Sequence, residues 1–526
     1  MQRLRRDALE IHSEAKHLSN HLQESRLGTV VCTDSTPNVM EFAFVVEGES
    51  SEILVRRGEF VSVTTDNGVV IARVQDLTRT NRYYQHAEAV REYQSRGESL
   101  RSILPTDRWQ YTVAQARVLG CWNDNKTIRP SFSVSPGASV MRPDEETLAA
   151  FLGLDTRDGL RLGRLSHHEL DFTPSIDRLL SKHLAVLAMS GAGKSYFISI
   201  LLEEMLTRTK EQGRVAVVVL DVHGEYSYLK DLTTDSLGST GTRMEVEHIR
   251  SSYFQIPVPS LSAETLGSFV SDMSGIQVRD LRRVISETRK KEAGRYTLSD
   301  LAEIVKGDDS ISRNTRDAIV GWLTNLDETG LFGVEAAPDL NRIVSPGRLT
   351  LIDLSDFISL KKKQIVVSYL AGELLYLRRQ QRIPPFLFVV EEAHQFCPES
   401  RHELALPRAQ IETIAREGRK FFALLCLVSQ RPVKLSTTVL SQCNNQAIFR
   451  CTNPYDLEHI GKTSEGIDRS SLDSITTLEV GEALFVGECV SVPTFVKIRR
   501  RRFEPRGVIT SLSEAIRKAD RISSQP

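Results

Sequence analysis

The stretch Ala188-Met189-Ser190-Gly191-Ala192-Gly193-Lys194-Ser195 constrains this chain more than any other. It follows the apolar run Leu184-Ala185-Val186-Leu187 and opens into Tyr196-Phe197-Ile198-Ser199-Ile200-Leu201-Leu202, so it reads as the turn between a buried strand and a helix. The pattern G-x-x-x-x-G-K-[ST] in that setting is a phosphate-binding loop. Gly193, Lys194 and Ser195 match its last fixed positions, and only the first glycine is replaced, by Ala188. Glycines at 191 and 193 let backbone N–H groups turn inward on phosphate oxygens at a helix N-terminus, where the helix dipole adds to the attraction. Ser190, Gly191, Ala192, Gly193, Lys194 and Ser195 are therefore the candidate nucleotide-binding residues. Lys194 is the residue that reaches the β- and γ-phosphates, and the Ser195 hydroxyl is the one that completes the shell of a metal ion. ATP and Mg²⁺ are the expected cofactors.

Around this loop there is room for more than one domain: 526 residues, 40% hydrophobic and 26% charged, suit a globular protein of roughly two to four domains. No apolar run approaches the roughly 20 residues that span a bilayer, and the charged N-terminus lacks the core of a secretory signal. A cytoplasmic location without a membrane partner is the expectation. The seven cysteines are odd in number and form no C-x-x-C pair, which favours neither a disulfide framework nor a zinc site. A net charge of −1 does not by itself argue for a nucleic-acid partner, although a charged channel can be local.

Residues 1–26 predict a helix, with Leu4, Ala8, Ile11, Ala15, Leu18 and Leu22 on an a/d seam. The seam packs either on its own subunit or on a partner. From residue 27 to 165 short β-rich runs (28–32, 41–46, 52–55, 59–63, 68–74) recur at turn-separated intervals, as in a small β-barrel. A more helical connector follows near residues 83–99. Residues 111–119 read as a further strand, and the Pro136-Gly137 turn leads into residues 145–152. The ATPase domain is placed at 166–503, with a helical insertion at 260–340 and a C-terminal helical tail at 504–526. Residues 215–220 lack alternation and read as a strand buried on both faces of a parallel sheet. This strand ends in Asp221-Val222-His223-Gly224-Glu225-Tyr226, where α/β sheets bind ligands; Asp221, His223 and Glu225 are candidates for function or for simple capping.

The strand Phe386-Leu387-Phe388-Val389-Val390 ends in Glu391-Glu392-Ala393-His394. One carboxylate, Glu391, suits holding Mg²⁺ through water, and the other, Glu392, suits polarising the water that attacks the γ-phosphate. Gln430, at the tip of the strand over 421–428, which is expected beside the strand that ends in Glu391, is placed to sense that phosphate. Arg416 and Arg419 are three apart on a predicted helix over 411–419. They either complement the helix C-terminus or project to a neighbour's nucleotide. Arg450 closes the strand over 446–450 and is a further candidate. Basic groups at 361–363, Arg408, Lys434 and 499–502 are candidates for DNA contact or for a solvated surface, the last run being read as strand with two arginines on each face.

Taken in order, the loop at 188–195, residues 221–226, Glu391-Glu392-Ala393-His394, Ile414-Ala415-Arg416-Glu417-Gly418-Arg419-Lys420, Ser429-Gln430-Arg431-Pro432 and Gly481-Glu482-Ala483 make the chain resemble the HerA family of hexameric ATPases, relatives of FtsK. The resemblance implies an α/β fold, a RecA-like P-loop ATPase core with an N-terminal β-barrel. It further implies a homo-hexamer with ATP bound between neighbours, double-stranded DNA driven through the pore, and a docked effector. That effector would be a NurA-like nuclease in DNA-end processing, or a sirtuin-like or other protein in anti-phage defence. Glu391 stands where many relatives have aspartate, and the helix at 1–26 is not part of the family pattern. Two other functions compete: a nucleotide-gated ring that scaffolds an effector enzyme, and a secretion- or conjugation-type ATPase, against which the barrel and the lack of a membrane span argue.

Overall fold

The computed structural model describes residues 26–32, 36–48, 55–85, 87–95, 106–231, 245–270, 273–292, 294–400, 405–464 and 466–504, with 513, 516 and 517 beyond them. The helix expected at 1–26, most of the strand at 52–55 and most of the C-terminal helix lie outside these residues. The described chain falls into two compact units. One takes residues up to 159 with 163–174 and 490–497, and the other 160–162 with 175–489 and 498–504. The boundary read from sequence at 165 therefore cuts through the first unit, which also recruits a late piece of chain.

In the first unit, period-2 alternation builds a closed barrel. Strands β1 (Arg26–Val31), β2 (Glu41–Val46), β3 (Phe60–Thr65), β4 (Gly68–Asn81), β5 (Gln110–Asn123), β6 (Lys126–Ile128) and β7 (Ser139–Met141) lie in the order β2-β1-β7-β3-β4-β5-β6. A further β2–β5 pairing, Glu41↔Arg117 through Val45↔Val113, joins the first strand of that order to the last but one and closes six strands into a ring, with β6 paired to β5 outside it. Bulges between Ile71 and Ala72 and between Val74 and Asp76 give β4 the bend that closure needs. Inward residues Phe42, Phe44, Val61, Val63, Val70, Ala72, Ala114 and Ala116 fill the core. Helices α1 (Ala87–Ser95) and α2 (Glu145–Leu152) and the short strands β8 (Gly163–Leu165) and β9 (Asp171–Phe172) complete this unit.

The second unit is a parallel α/β sheet. Its strands are β10 (Leu184–Leu187), β11 (Ala216–Asp221), β12 (Glu245–Arg250), the outlying pair β13 (Ile256–Pro257) and β14 (Phe332–Gly333), β15 (Arg348–Asp353), β16 (Phe386–Val390), β17 (Ala423–Ser429), β18 (Asn445–Phe449) and β19 (Glu482–Val486). The sheet runs β12-β15-β11-β16-β17-β10-β18-β19, with only β19 antiparallel to its neighbour. β10, β11, β16 and β17 are buried at every position, the continuous apolar reading expected of central parallel strands. β12 escapes sequence reading because Glu245-Val246-Glu247-His248-Ile249-Arg250 is largely polar. It is an edge strand held across to β15 by Arg348, whose guanidinium meets Glu245 at 2.7 Å and Glu247 at 3.3 Å.

Helix α3 (Lys194–Thr207) follows the phosphate loop and buries residues 197–206 on every side, polar Ser199, Glu203 and Glu204 included, so it lies inside the unit. The insertion at 260–340 is helical as expected: α4 (Ala263–Ser268), α5 (Gly275–Lys291), α6 (Leu298–Lys306) and α7 (Arg313–Asp327). Reciprocal capping by Ser274 with Gln277 and by Thr297 with Asp300 starts the two middle helices. Helix α8 (Leu360–Arg379) and helix α9 (Arg408–Glu417) precede β16 and β17. Among the described residues, no helix is long and apolar enough to cross a membrane.

Candidate active site

Strand order decides which of the candidate residues meet. β10 lies between β17 and β18, and β16 lies on the far side of β17. All run parallel, so the phosphate loop, Ser429-Gln430 and Glu391-Glu392 emerge side by side at the C-terminal edge of the sheet. The loop is tied to both flanking strands, Ala188 N donating to Ser429 O at 3.2 Å and Met189 N to Arg450 O at 3.0 Å. Gly191 and Gly193 have φ of 77° and 108°, the left-handed region that a side chain would strain. Gly193 is also the N-cap of α3 and offers no side-chain oxygen, which leaves the first-turn N–H groups to an external anion.

Glu392 leaves β16 in the left-handed conformation, φ 47° and ψ 41°. For a non-glycine residue this costs on the order of 1–3 kcal/mol, and such strain collects at functional sites. Its consequence is visible in the contacts. Glu392 Oε1 lies 3.3 Å from Lys194 Nζ and accepts from Gln430 Nε2 at 2.6 Å. Its Oε2 lies 3.5 Å from His394 Nδ1, which is 3.3 Å from Ser429 Oγ. Lys194 Nζ in turn lies 3.4 Å from Ser195 Oγ. Lys194, Ser195, Glu392 and Gln430, drawn from three separate strand ends, thus form one connected cluster.

Glu391, the last buried position before that turn, is 1% exposed. Tyr226 donates its hydroxyl to Glu391 Oε1 at 2.5 Å, while the buried Oε2 has no hydrogen-bond partner. Burial pushes the Glu391 carboxyl up to about 8, the Tyr226 hydrogen bond opposing and the Asp221 and Glu225 charges adding to the rise. Mg²⁺ takes few protein oxygens, usually one or two, and completes its octahedron with waters and substrate phosphates. The Ser195 hydroxyl and an unpartnered, buried Glu391 oxygen beside the phosphate loop fit that donor set.

The other candidates lie outside the cluster of Lys194, Ser195, Glu392 and Gln430. Asp221 uses both carboxylate oxygens as backbone caps, accepting Glu225 N at 3.0 Å and Tyr226 N at 2.9 Å. His223 and Glu225 are exposed on the turn it caps, and β16 and β17 separate β11 from β10. Arg450 sits at the end of β18 beside the loop, its carbonyl holding Met189 and its buried Nε lacking a hydrogen-bond partner. Arg416 and Arg419 do not share one α-helix: α9 ends at Glu417, and Arg419 lies in the 3₁₀ turn Gly418–Phe421. Gly418 is required there, since a Cβ would lie 2.3 Å from Ala423 O. Both arginines are exposed and lie where the chain enters β17, at the edge of the sheet opposite the phosphate loop. The structure does not bring them to the chain's own loop.

The strand reading of the arginine run at 499–502 is also corrected. The strand Thr494–Ile498 ends before the arginines begin, so residues 499–502 do not alternate across a strand. Arg499 pairs with Glu203 at 2.9 Å and Glu204 at 2.8 Å, both on α3, and Arg502 pairs with Glu204 at 2.8 Å. Arg501 stacks on the Tyr196 ring, 4.5 Å from its centroid. Lys363 donates to Val222 O at 3.2 Å, and Arg408 pairs with Glu412 at 2.9 Å. Sequence reasoning passed over Tyr226 and gave His394 no role. The signal for Tyr226 was its place at the close of the polar stretch after β11, where the strand neighbouring β16 turns back.

Comparison with known proteins finds relatives over most of the chain. Residues 160–374 match the family "Helicase HerA, central domain", and residues 29–120 match the "HAS barrel domain". The chain is 26% identical to the DNA double-strand break repair helicase HerA of Pyrococcus furiosus, the match covering 87% of this chain and 92% of that protein. It is 27% identical to a probable helicase of Methanocaldococcus jannaschii, covering 84% and 86%. Among solved structures, VirB4 of Thermoanaerobacter pseudethanolicus shares the fold with a TM-score of 0.51 at 18% identity, over 66% of this chain and 98% of that one.

Proposed function

The chain belongs to the HerA family of P-loop ATPases, and on that premise we propose that it is an ATP-hydrolysing motor that moves on double-stranded DNA. The observation that carries the reading is the contact of Glu392 with Lys194 and Gln430 across the ends of β16, β17 and β10. In this reading the N–H groups of residues 190–195 and the Lys194 ammonium hold the β- and γ-phosphates. Glu392 takes a proton from the attacking water, and Gln430 and His394 fix the orientation of its carboxylate. Ser195 and Glu391 would hold Mg²⁺, Glu391 through water, and the ion would supply positive charge to offset that of the phosphates.

The arginines give this reading its oligomeric form. Arg416 and Arg419 lie at the opposite edge of the sheet from their own loop, so either of them would act on a γ-phosphate only from a second subunit. A ring of like subunits, six in number by family resemblance, supplies it. An effector docked on that ring, a nuclease in DNA-end processing or a defence protein, is the partner that the family implies. The test is hydrolysis by the assembled protein with and without duplex DNA. Stimulation by duplex is expected, and duplex-independent turnover in the assembled state would overturn the motor reading in favour of a nucleotide-gated scaffold.

A further inference from the structure

We propose that Tyr226 is a positioning residue for the metal-binding carboxylate, and that the turn at 221–226 is built to deliver its hydroxyl to Glu391. The proposal rests on the ATP–Mg²⁺ reading of the site and assigns a role to a residue which that reading leaves unused.

The turn is fixed at several independent points. Leu220 pairs with Val390 in register, so the ends of β11 and β16 lie side by side. Past that end the Asp221 carboxylate accepts the N–H groups of Glu225 and Tyr226, folding the chain back toward β16. Lys363 holds the Val222 carbonyl from α8. Gly224, in the left-handed region at φ 75°, packs so closely that a Cβ would lie 3.3 Å from Ser355 Oγ. Together these contacts place the Tyr226 side chain, 1% exposed, with its hydroxyl 2.5 Å from Glu391 Oε1.

The geometry at the carboxylate is one-sided. A phenol is a single donor, so it engages one oxygen and fixes the rotation of the carboxylate, leaving Oε2 buried and without a partner. A hydrogen bond placed only to satisfy a core glutamate has no reason to leave the second oxygen bare, because an unsatisfied buried acceptor is costly. A carboxylate held for a hydrated cation does need one oxygen free and aimed. Outer partners of this kind orient metal ligands, and their loss weakens metal affinity by about 10- to 100-fold.

The experiment uses the full chain and compares wild type with Tyr226→Phe. Mn²⁺ affinity is read by electron paramagnetic resonance in the presence of a non-hydrolysable ATP analogue, and analogue binding is read separately in excess chelator. Tyr226→Phe is expected to weaken Mn²⁺ by about 10-fold while metal-free analogue binding stays within about twofold, and excess Mg²⁺ is expected to recover most of the turnover. An unchanged Mn²⁺ affinity overturns the proposal, as does equal loss of metal-free binding, which would make the tyrosine structural. If Tyr226→Phe does not fold, Asp221→Asn loosens the turn without removing the phenol. The same direction of change is then expected, and no change overturns the proposal. The underlying reading fails separately: wild type would show no metal-enhanced analogue binding, or Glu391→Gln would leave Mn²⁺ affinity at the wild-type value.

Discussion

Glu392 stands next to Glu391 in sequence, yet the two carboxylates face different partners, one toward Lys194 and Gln430 and the other toward Tyr226. Consecutive strand residues point to opposite faces, so a straight continuation of β16 would have sent Glu392 away from the site. The left-handed turn at φ 47° redirects it. Removing the charge while keeping the shape should therefore separate binding from chemistry. Glu392→Gln is expected to lower hydrolysis by at least about 10²-fold, the scale of a lost general base, with ATP still retained on the protein. Single-turnover hydrolysis and filter binding check it. Lys194→Ala, by contrast, is expected to lose the nucleotide itself, because the ammonium that engages the β- and γ-phosphates is gone. Glutamate at 391 was legible from sequence as an acidic strand end; its dependence on Tyr226 was not, since that contact joins residues 165 apart in sequence.

At the scale of elements, the helix that follows the phosphate loop is fastened from the far end of the chain. Glu203 is fully buried on α3 and is answered by Arg499 and by the N–H groups of Arg502 and Phe503. Arg499→Ala leaves that carboxylate buried and short of a partner, a defect that costs about 3–5 kcal/mol. A lowered denaturant midpoint at unchanged m-value is the expected reading. His183 is a second fastening, at the entry to β10. Leu425 N donates to its Nδ1 at 3.0 Å, which puts the ring proton on Nε2, 3.1 Å from Ala415 O. Burial holds this imidazole down at about 4, helped by Arg419 and opposed by the Ala415 hydrogen bond. The unfolded chain therefore binds the proton that the folded chain refuses between pH 6.5 and about 4, so stability falls as pH drops through that window and levels off below it. The loss at this one site is on the order of 3 kcal/mol. Unfolding followed from pH 7 to 4 in wild type and His183→Gln checks it, the variant showing the shallower dependence. His168 in the barrel unit, also held at about 4 by burial while accepting Phe60 N, adds the same sign.

At the scale of the whole molecule, Arg416 and Arg419 lie away from the chain's own phosphate loop, and the proposal of a shared site rests on that separation. Complementation is the corresponding prediction. A protein carrying Lys194→Ala keeps its arginines, and one carrying Arg416→Ala with Arg419→Ala keeps its loop. Mixing the two inactive proteins is expected to restore part of the hydrolysis that neither shows alone, because some interfaces then pair an intact loop with intact arginines. Steady-state hydrolysis across mixing ratios checks it, and strict additivity of two inactive proteins would place the arginines outside the site. The sequence by itself determined the parts whose signal is local. A strand, glycines and Lys-Ser fix a phosphate loop within eight residues, short β-rich runs between turns mark a barrel, and uninterrupted apolar runs mark central parallel strands. Only the tertiary structure decided what depends on strand order and on chain ends meeting. It placed β17 between β10 and β16 and so joined Gln430 to Glu392, and it assigned Asp221 to capping. It also closed the barrel through β2–β5 and turned Arg499 and Arg502 inward onto α3. The physical reason is the same in each case. These contacts connect residues far apart in sequence, and neither periodicity nor composition carries information about which buried strands become neighbours.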